Sequence, residues 1–219
     1  MICVVTDRHR LGESKDSVDR LVELVAHAAT AGVELIQIRE RDLEADELTA
    51  LVRRCVNAVG GSRARVLVND RVDVALAAGA HGVHLRSDSI DAPAVRRLLP
   101  PGAVVGRAVH SAEEAALYSR RGGLDYLILG TLFHTPSKGP AHRLVTLDEL
   151  SEACRLSSIP ILAIGGLTLE RASVVAHAGA SGIAAVGLFV PPAGDPPQHH
   201  IDTVVAALRR TFDTCGAVP

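Results

Sequence analysis

Short β-branched runs alternate with Ala- and Leu-rich segments of helical period along the whole chain, and this alternation limits the fold more than any other feature. The runs are "ICVVTD" (2–7), "ELIQIRE" (34–40), "ARVLVND" (64–70), "GVHL" (82–85), "AVVGRAV" (103–109), "DYLILG" (125–130), "IPILAIGG" (159–166) and "GIAAVG" (182–187), eight in all. Runs this short and this apolar read as strands buried on both faces, which is what a parallel sheet covered by helices requires. Between them, "SVDRLVELVAHAATAG" (17–32) carries Val18, Leu21, Val22, Val25 and Ala26 on one helical stripe, with a Gly at its end to stop it. Segments near 44–59, 71–79, 111–122, 146–156 and 168–178 behave similarly, 91–98 is shorter, and 200–213 closes the chain. The repeats "AGVELI", "AGAHGV", "RGGLDYL" and "AGASGI" each put a Gly between a helix end and the next strand, as a regular winding requires. Residues 1–219 are therefore expected to form a single compact α/β domain, a (β/α)8 TIM barrel, with an open doubly wound sheet as the alternative.

Composition narrows what such a domain can bind. The 219 residues are 47% apolar, enough for a substantial core, and the formal charge of −2 mixes both signs without a basic stripe. With no Trp, two Tyr and three Phe there is no stacking platform, so no nucleic-acid partner is expected. Cys3, Cys55, Cys154 and Cys215 lie far apart, without the paired spacing of a zinc site, and read as small buried residues in a reducing compartment. No apolar run approaches a membrane span and the chain starts directly in a strand, so no membrane partner and a cytoplasmic location are expected. The segment "PPAGDPPQHH" (191–200) reads as a polar connection rather than a metal site at His199 and His200.

In a barrel of this kind the C-terminal strand ends face the active site. Those ends supply Thr6 and Asp7, Gln37 and Arg39, Asn69 and Asp70, His84, Arg107 and His110, the loop 130–143, Gly165 and Gly166, and Val186 and Gly187. Any one of them has an ordinary explanation; Asp70, for instance, could cap the helix that follows it. Polar groups at seven ends together point to a real site. The Gly pair at 165–166 and "GLF" at 187–189 are candidates for a phosphate site of backbone N–H groups, formed by Gly165, Gly166, Val186, Gly187 and Leu188.

The stretches "VVTD", "IQIRER", "VLVNDRVDVALAAGAHGVHL", "DYLILGTLFHTPSKG" and "IPILAIGGLT", in this order, resemble the thiamine phosphate synthase and TenI superfamily of compact (β/α)8 barrels. The resemblance implies thiazole phosphate as the small-molecule substrate. It also implies Gln37, Arg39, Arg41, Asn69, Asp70, His84, Arg107, Thr135 and Lys138 as substrate contacts, Thr135 and Lys138 through a "TxSK" motif. It leaves two activities open. One couples hydroxymethylpyrimidine diphosphate to the thiazole phosphate and needs Mg2+ held by carboxylates; the other, TenI-like, converts the thiazole carboxylate phosphate to its aromatic tautomer by proton transfer.

In the family pattern a Lys follows "QxR" by two residues and a second metal-binding Asp ends a "GQDD"-like stretch. Here these positions are Arg41 and Ser89, Arg86 replaces the family Gly, and Asp88 lies one position off. Asp70 alone makes a weak magnesium site, so the metal loop reads against a diphosphate enzyme. "GRAVHS" (106–111) resembles the TenI "GRSVHS" and places His110 beyond the fifth strand, while His134 in "LFHTPSKG" is the other candidate proton carrier, with His84 behind. The expectation is a thiazole tautomerase that needs no cofactor and uses His134 or His110. The alternative is a synthase using Mg2+ on Asp70, and the third reading is a non-catalytic barrel that binds a thiamine intermediate. A homo-oligomer is left open.

Overall fold

The computed structural model describes residues 1–12, 16–135, 139, 141–192 and 195–215. Eight strands close into a parallel barrel in chain order: β1 (Ile2–Val5), β2 (Leu35–Ile38), β3 (Arg65–Asn69), β4 (Gly82–Leu85), β5 (Val104–Val109), β6 (Tyr126–Gly130), β7 (Ile161–Ile164) and β8 (Gly182–Ala185). Each is followed by a helix: α1 (Ser17–Thr30), α2 (Ala45–Ala58), α3 (Val72–Ala78), α4 (Ala92–Leu98), α5 (Ala112–Arg121), α6 (Leu147–Leu156), α7 (Leu169–His177) and α8 (Pro197–Cys215). Pairing of Ile2 with Ile183 and Val4 with Ala185 closes β8 on β1 and excludes the open sheet.

Strand alternation divides the core in two. Cys3, Val5, Leu35, Leu67, Tyr126, Ile128, Leu162 and Ala184 fill the barrel interior. Val4, Ile36, Val66, Val83, Val105, Leu127, Ala163 and Ile183 point outward and pack under the helices. Both sets are buried, which is why the strands read as continuous apolar runs rather than as alternating ones. At Gly82, which opens β4, a Cβ would strike the backbone of Val104, so the glycine before this strand serves close strand approach.

One boundary and one helix face differ from expectation. The closing helix begins at Pro197, three residues ahead of the expected 200, because proline suits the first helical turn, where an N–H has no intrahelical partner. His199 and His200 consequently lie in its first turn, and the His200 ring meets the Leu188 carbonyl at 3.0 Å, a tie between α8 and the turn after β8. On α1 the buried face is Leu21, Leu24, Val25, Ala28 and Ala29, rotated from the expected stripe so that Val18 and Val22 only flank it. Cys3 and Cys55 are buried and Cys154 half-buried, while the side chain of Cys215 lies outside the described part. Among the described residues no helix is long and apolar enough to cross a membrane.

Candidate active site

A cavity of about 710 Å³ opens at the C-terminal mouth of the barrel. Its floor is a polar layer set by strand register, in which Asn69 of β3 pairs with His84 of β4, His84 with Gly106 of β5, and Gly106 with Tyr126 of β6. The Tyr126 ring occupies the space that a Cβ at Gly106 would need, and its hydroxyl lies 3.0 Å from His84 Nδ1. Burial, reinforced by the nearby Arg107 charge, pushes the His84 pKa down to about 3, so the imidazole stays neutral. That makes His84 a fixed hydrogen-bonding group rather than a proton carrier near neutrality. Gln37 Nε2 donates to Asn69 Oδ1 at 2.9 Å, and the buried Gln37 Oε1 has no partner among the described residues. An amide oxygen left this way in a cavity wall is an acceptor suited to a ligand.

One side of the mouth is cationic. Arg39 and Arg41 follow β2 and line the cavity. Burial, with the charge of Arg41 next, lowers the Arg39 pKa, so an anion here would relieve two neighbouring guanidiniums at once. Sequence reading passed over the carboxylate that organises this corner. Buried Glu40 accepts from Thr6 Oγ1 at 2.6 Å and from the backbone and Nη1 of Arg8, each at 3.2 Å, and Arg8 also pairs with Asp42. The third residue of the same corner, Thr6, accepts from the Arg39 backbone N–H at 3.0 Å. The signal was present in "QIRE", where Glu40 stands two residues past the end of β2, beside Arg39.

The end of β3 and the loop after β4 carry the groups on which a metal would depend. Asp70 adopts a left-handed backbone, φ 62°, and α3 takes no side-chain cap, so the capping reading of Asp70 does not hold. Instead the Ser89 hydroxyl donates to Asp70 Oδ1, and Arg86 lies 3.9 Å from Asp70 Oδ2 and 2.5 Å from Asp88 Oδ2. Ser89 thus stands beside Asp70, where the family pattern places its second carboxylate. A guanidinium spans the two carboxylates that remain. Among the described residues no group of three His, Cys, Asp or Glu could hold a metal. The donor set does not fit a two-carboxylate magnesium site, because its one inner carboxylate already carries a hydroxyl and neighbours a cation.

Across the barrel, Gly165 and Gly166 follow β7 with φ of 106° and 60°, and Val186, Gly187 and Leu188 form the turn after β8. All five line the cavity. The loop after β6 packs on the Gly pair: Phe133 N–H donates to the Gly165 carbonyl at 3.1 Å, and a Cβ at Gly166 would collide with the carbonyls of Phe133 and His134. Arg10, unremarked in the sequence, brings Nη1 to 3.3 Å from where a Cβ on Gly187 would lie, and its Nε pairs with Asp7 at 3.2 Å. It adds a cation to the backbone site expected there.

His110 Nδ1 lies 2.7 Å from the Gly130 carbonyl, which can only accept, so Nδ1 carries a proton and donates it there. His134 and Thr135 line the same cavity, while Lys138 falls outside the described residues. Arg107, expected as a substrate contact, stands outside the cavity. In β5 it shares the outward parity of Val105 and Val109, is 1% exposed, and donates to the carbonyls of Ile90 at 3.0 Å and Ser89 at 2.6 Å beneath the Tyr118 ring. It braces the loop after β4 from behind and does not reach the cavity.

A parallel barrel whose mouth joins glycine turns at β7 and β8 to arginines at β2 and β4 has the arrangement of a class, the (β/α)8 enzymes with their site at the C-terminal strand ends. Residues 2–189 match the family described as thiamine monophosphate synthase, and the chain belongs to that family. It is 37% identical over 190 residues, covering 87% of this chain and 81% of the relative, to a thiamine-phosphate synthase of Roseiflexus castenholzii. A thiamine-phosphate synthase of Chlorobium luteolum is 32% identical over 211 residues, 96% of this chain and 94% of that one. Among solved structures, a thiamine phosphate pyrophosphorylase from Pyrococcus furiosus superposes with TM-score 0.79 at 28% identity, covering 98% of this chain and 96% of the other. These relatives overturn the expected tautomerase. The departures in the metal loop, read as loss of diphosphate chemistry, occur within a chain whose relatives bear the name of the diphosphate enzyme.

Proposed function

We propose that the chain is a thiamine-phosphate synthase, a transferase that joins hydroxymethylpyrimidine diphosphate to thiazole phosphate and releases pyrophosphate. The observation that carries this reading is that two groups of residues suited to anions line one cavity. The glycine turns after β7 and β8, with Arg10, suit a single phosphate; Arg39, Arg41 and Arg86 at β2 and β4 form a separate cationic wall. A thiazole carboxylate phosphate would fill the first set with its phosphate and present only a lone carboxylate to the three guanidiniums of the second. Coupling of a monophosphate to a diphosphate ester uses both.

In the reaction the bond from the pyrimidine methylene carbon to the diphosphate oxygen breaks, the thiazole ring nitrogen takes that carbon, and the electron pair leaves with pyrophosphate. The growing charge on the leaving group is what preplaced guanidiniums stabilise. Gln37 Oε1 and the neutral His84 offer hydrogen bonds at the cavity floor without adding charge. His110, His134, Thr135 and Lys138 are assigned to substrate contact around the loop after β6, and Gly165, Gly166, Val186, Gly187 and Leu188 to the thiazole phosphate.

The test is to incubate the purified chain with hydroxymethylpyrimidine diphosphate and thiazole phosphate, with and without Mg2+, and to follow thiamine phosphate and pyrophosphate together. Equimolar appearance of both is expected. Absence of both under every metal condition refutes the reading.

A further inference from the structure

The geometry points to Arg86 as a built-in replacement for a divalent cation: its guanidinium, set between Asp70 and Asp88, binds the diphosphate of the substrate directly, with no metal bridge. This inference rests on the proposed synthase reading, since it is that substrate's diphosphate which is bound. Three observations carry it. First, the Arg86 guanidinium spans the two carboxylates, at 3.9 Å from Asp70 and 2.5 Å from Asp88, so the cation and its counter-charges are both covalent parts of this chain. Second, the loop that presents Arg86 is built to hold one shape. Arg86 N–H donates to Ser89 Oγ at 2.9 Å, the Ser89 hydroxyl donates onward to Asp70, and buried Arg107 clasps the carbonyls of Ser89 and Ile90. Third, Arg86 is available. Its partner Asp88 has a side chain 65% exposed, and a solvated ion pair of that kind holds a guanidinium weakly, whereas a diphosphate offers more charge and a fork of oxygens.

The same placement explains why Ser89 can stand beside Asp70. With a fixed positive charge nearby, a second carboxylate beside Asp70 is not needed to recruit a cation, and the Ser89 hydroxyl satisfies the Asp70 oxygen without adding to the negative charge that an incoming diphosphate meets. Arg39 and Arg41 stand on the neighbouring side of the same cavity mouth, so the diphosphate would lie among three guanidiniums.

The probe is inorganic pyrophosphate, measured by titration calorimetry on the purified chain in EDTA and again in excess Mg2+. Wild type is expected to bind in EDTA and to change by less than about threefold with Mg2+. Arg86→Gln should weaken binding in EDTA about 10- to 100-fold, the loss of one charged fork contact. Because Arg86 is half-exposed, circular dichroism should show the variant folded. The double variant Arg86→Gly with Ser89→Asp should bind poorly in EDTA and recover about tenfold or more with Mg2+, as a second oxygen ligand replaces a cation. Arg86-dependent binding in EDTA supports the assignment even where no thiamine phosphate forms, in which case only the reading of the reaction fails. Binding by wild type that requires Mg2+, or is indifferent to Arg86→Gln, overturns it even where thiamine phosphate is made.

Discussion

Acid should destabilise this protein in part through His84, by an amount that follows from its burial. Its pKa is about 3 in the fold, against roughly 6.5 in an unfolded chain. Because the folded value is the lower one, the unfolded chain takes up the proton first as pH falls. The stability linked to the neutral ring is therefore fully present above about pH 6.5 and is lost progressively from there down to about pH 3. Each unit in that window costs about 1.4 kcal/mol, so the step from pH 7 to pH 5 removes roughly 2 kcal/mol, an order-of-magnitude figure. For a domain of this size that lowers Tm by roughly 4–8 °C. Carboxylates titrate over part of the same range, so the measurement is a difference. Urea and thermal unfolding, followed by circular dichroism at pH 7 and pH 5, are compared for wild type and His84→Gln. The variant keeps a neutral polar group near Tyr126 but has nothing to protonate there, and its loss should be smaller by about 2 kcal/mol. Parallel curves for the two proteins would show that His84 is not held neutral by the barrel interior, and would refute the reasoning.

Gly106→Ala should cost about 1–3 kcal/mol in urea unfolding, because the methyl group enters the volume of the Tyr126 ring; an unchanged midpoint would mean that the ring moves freely. Arg107→Met should lower stability by about 3 kcal/mol and open the 86–90 loop to limited proteolysis, and Arg107→Lys should not restore it, since a point charge cannot serve several carbonyls in a fork. Glu40→Gln should cost up to about 3 kcal/mol, moderated by the pairing of Arg8 with Asp42, and a loss too small to resolve would remove Glu40 as the organiser of that corner. Gly187→Val should leave the fold intact yet weaken thiazole phosphate binding about tenfold or more, since the side chain displaces Arg10 and fills the phosphate position; equal affinity in calorimetry would place the phosphate elsewhere.

The barrel was legible in the amino-acid order because doubly buried strands leave a signal that survives without context: the run at "GVHL" matches β4 residue for residue, and each of the other runs contains its strand. The cavity residues after β2, β7 and β8 were legible for a related reason. A strand in this fold ends where polar or glycine residues interrupt the apolar run, and those interruptions are the mouth. Arg107 shows where that reasoning stops, for a strand's two faces are both apolar here and the run alone does not say which parity points inward; the Tyr126 ring over Gly106 settles it. The family pattern named Arg86, Asp88 and Ser89 as departures, and it took them for a deficiency. Only the closed barrel brings Ser89 and Arg86 onto Asp70, which precedes them by 19 and 16 residues in the chain. Linear order records which charges a loop carries, whereas the distances that decide whether those charges pair, repel or bind a ligand are set by strand register and by the side chains, such as Arg107, that hold the loop in place.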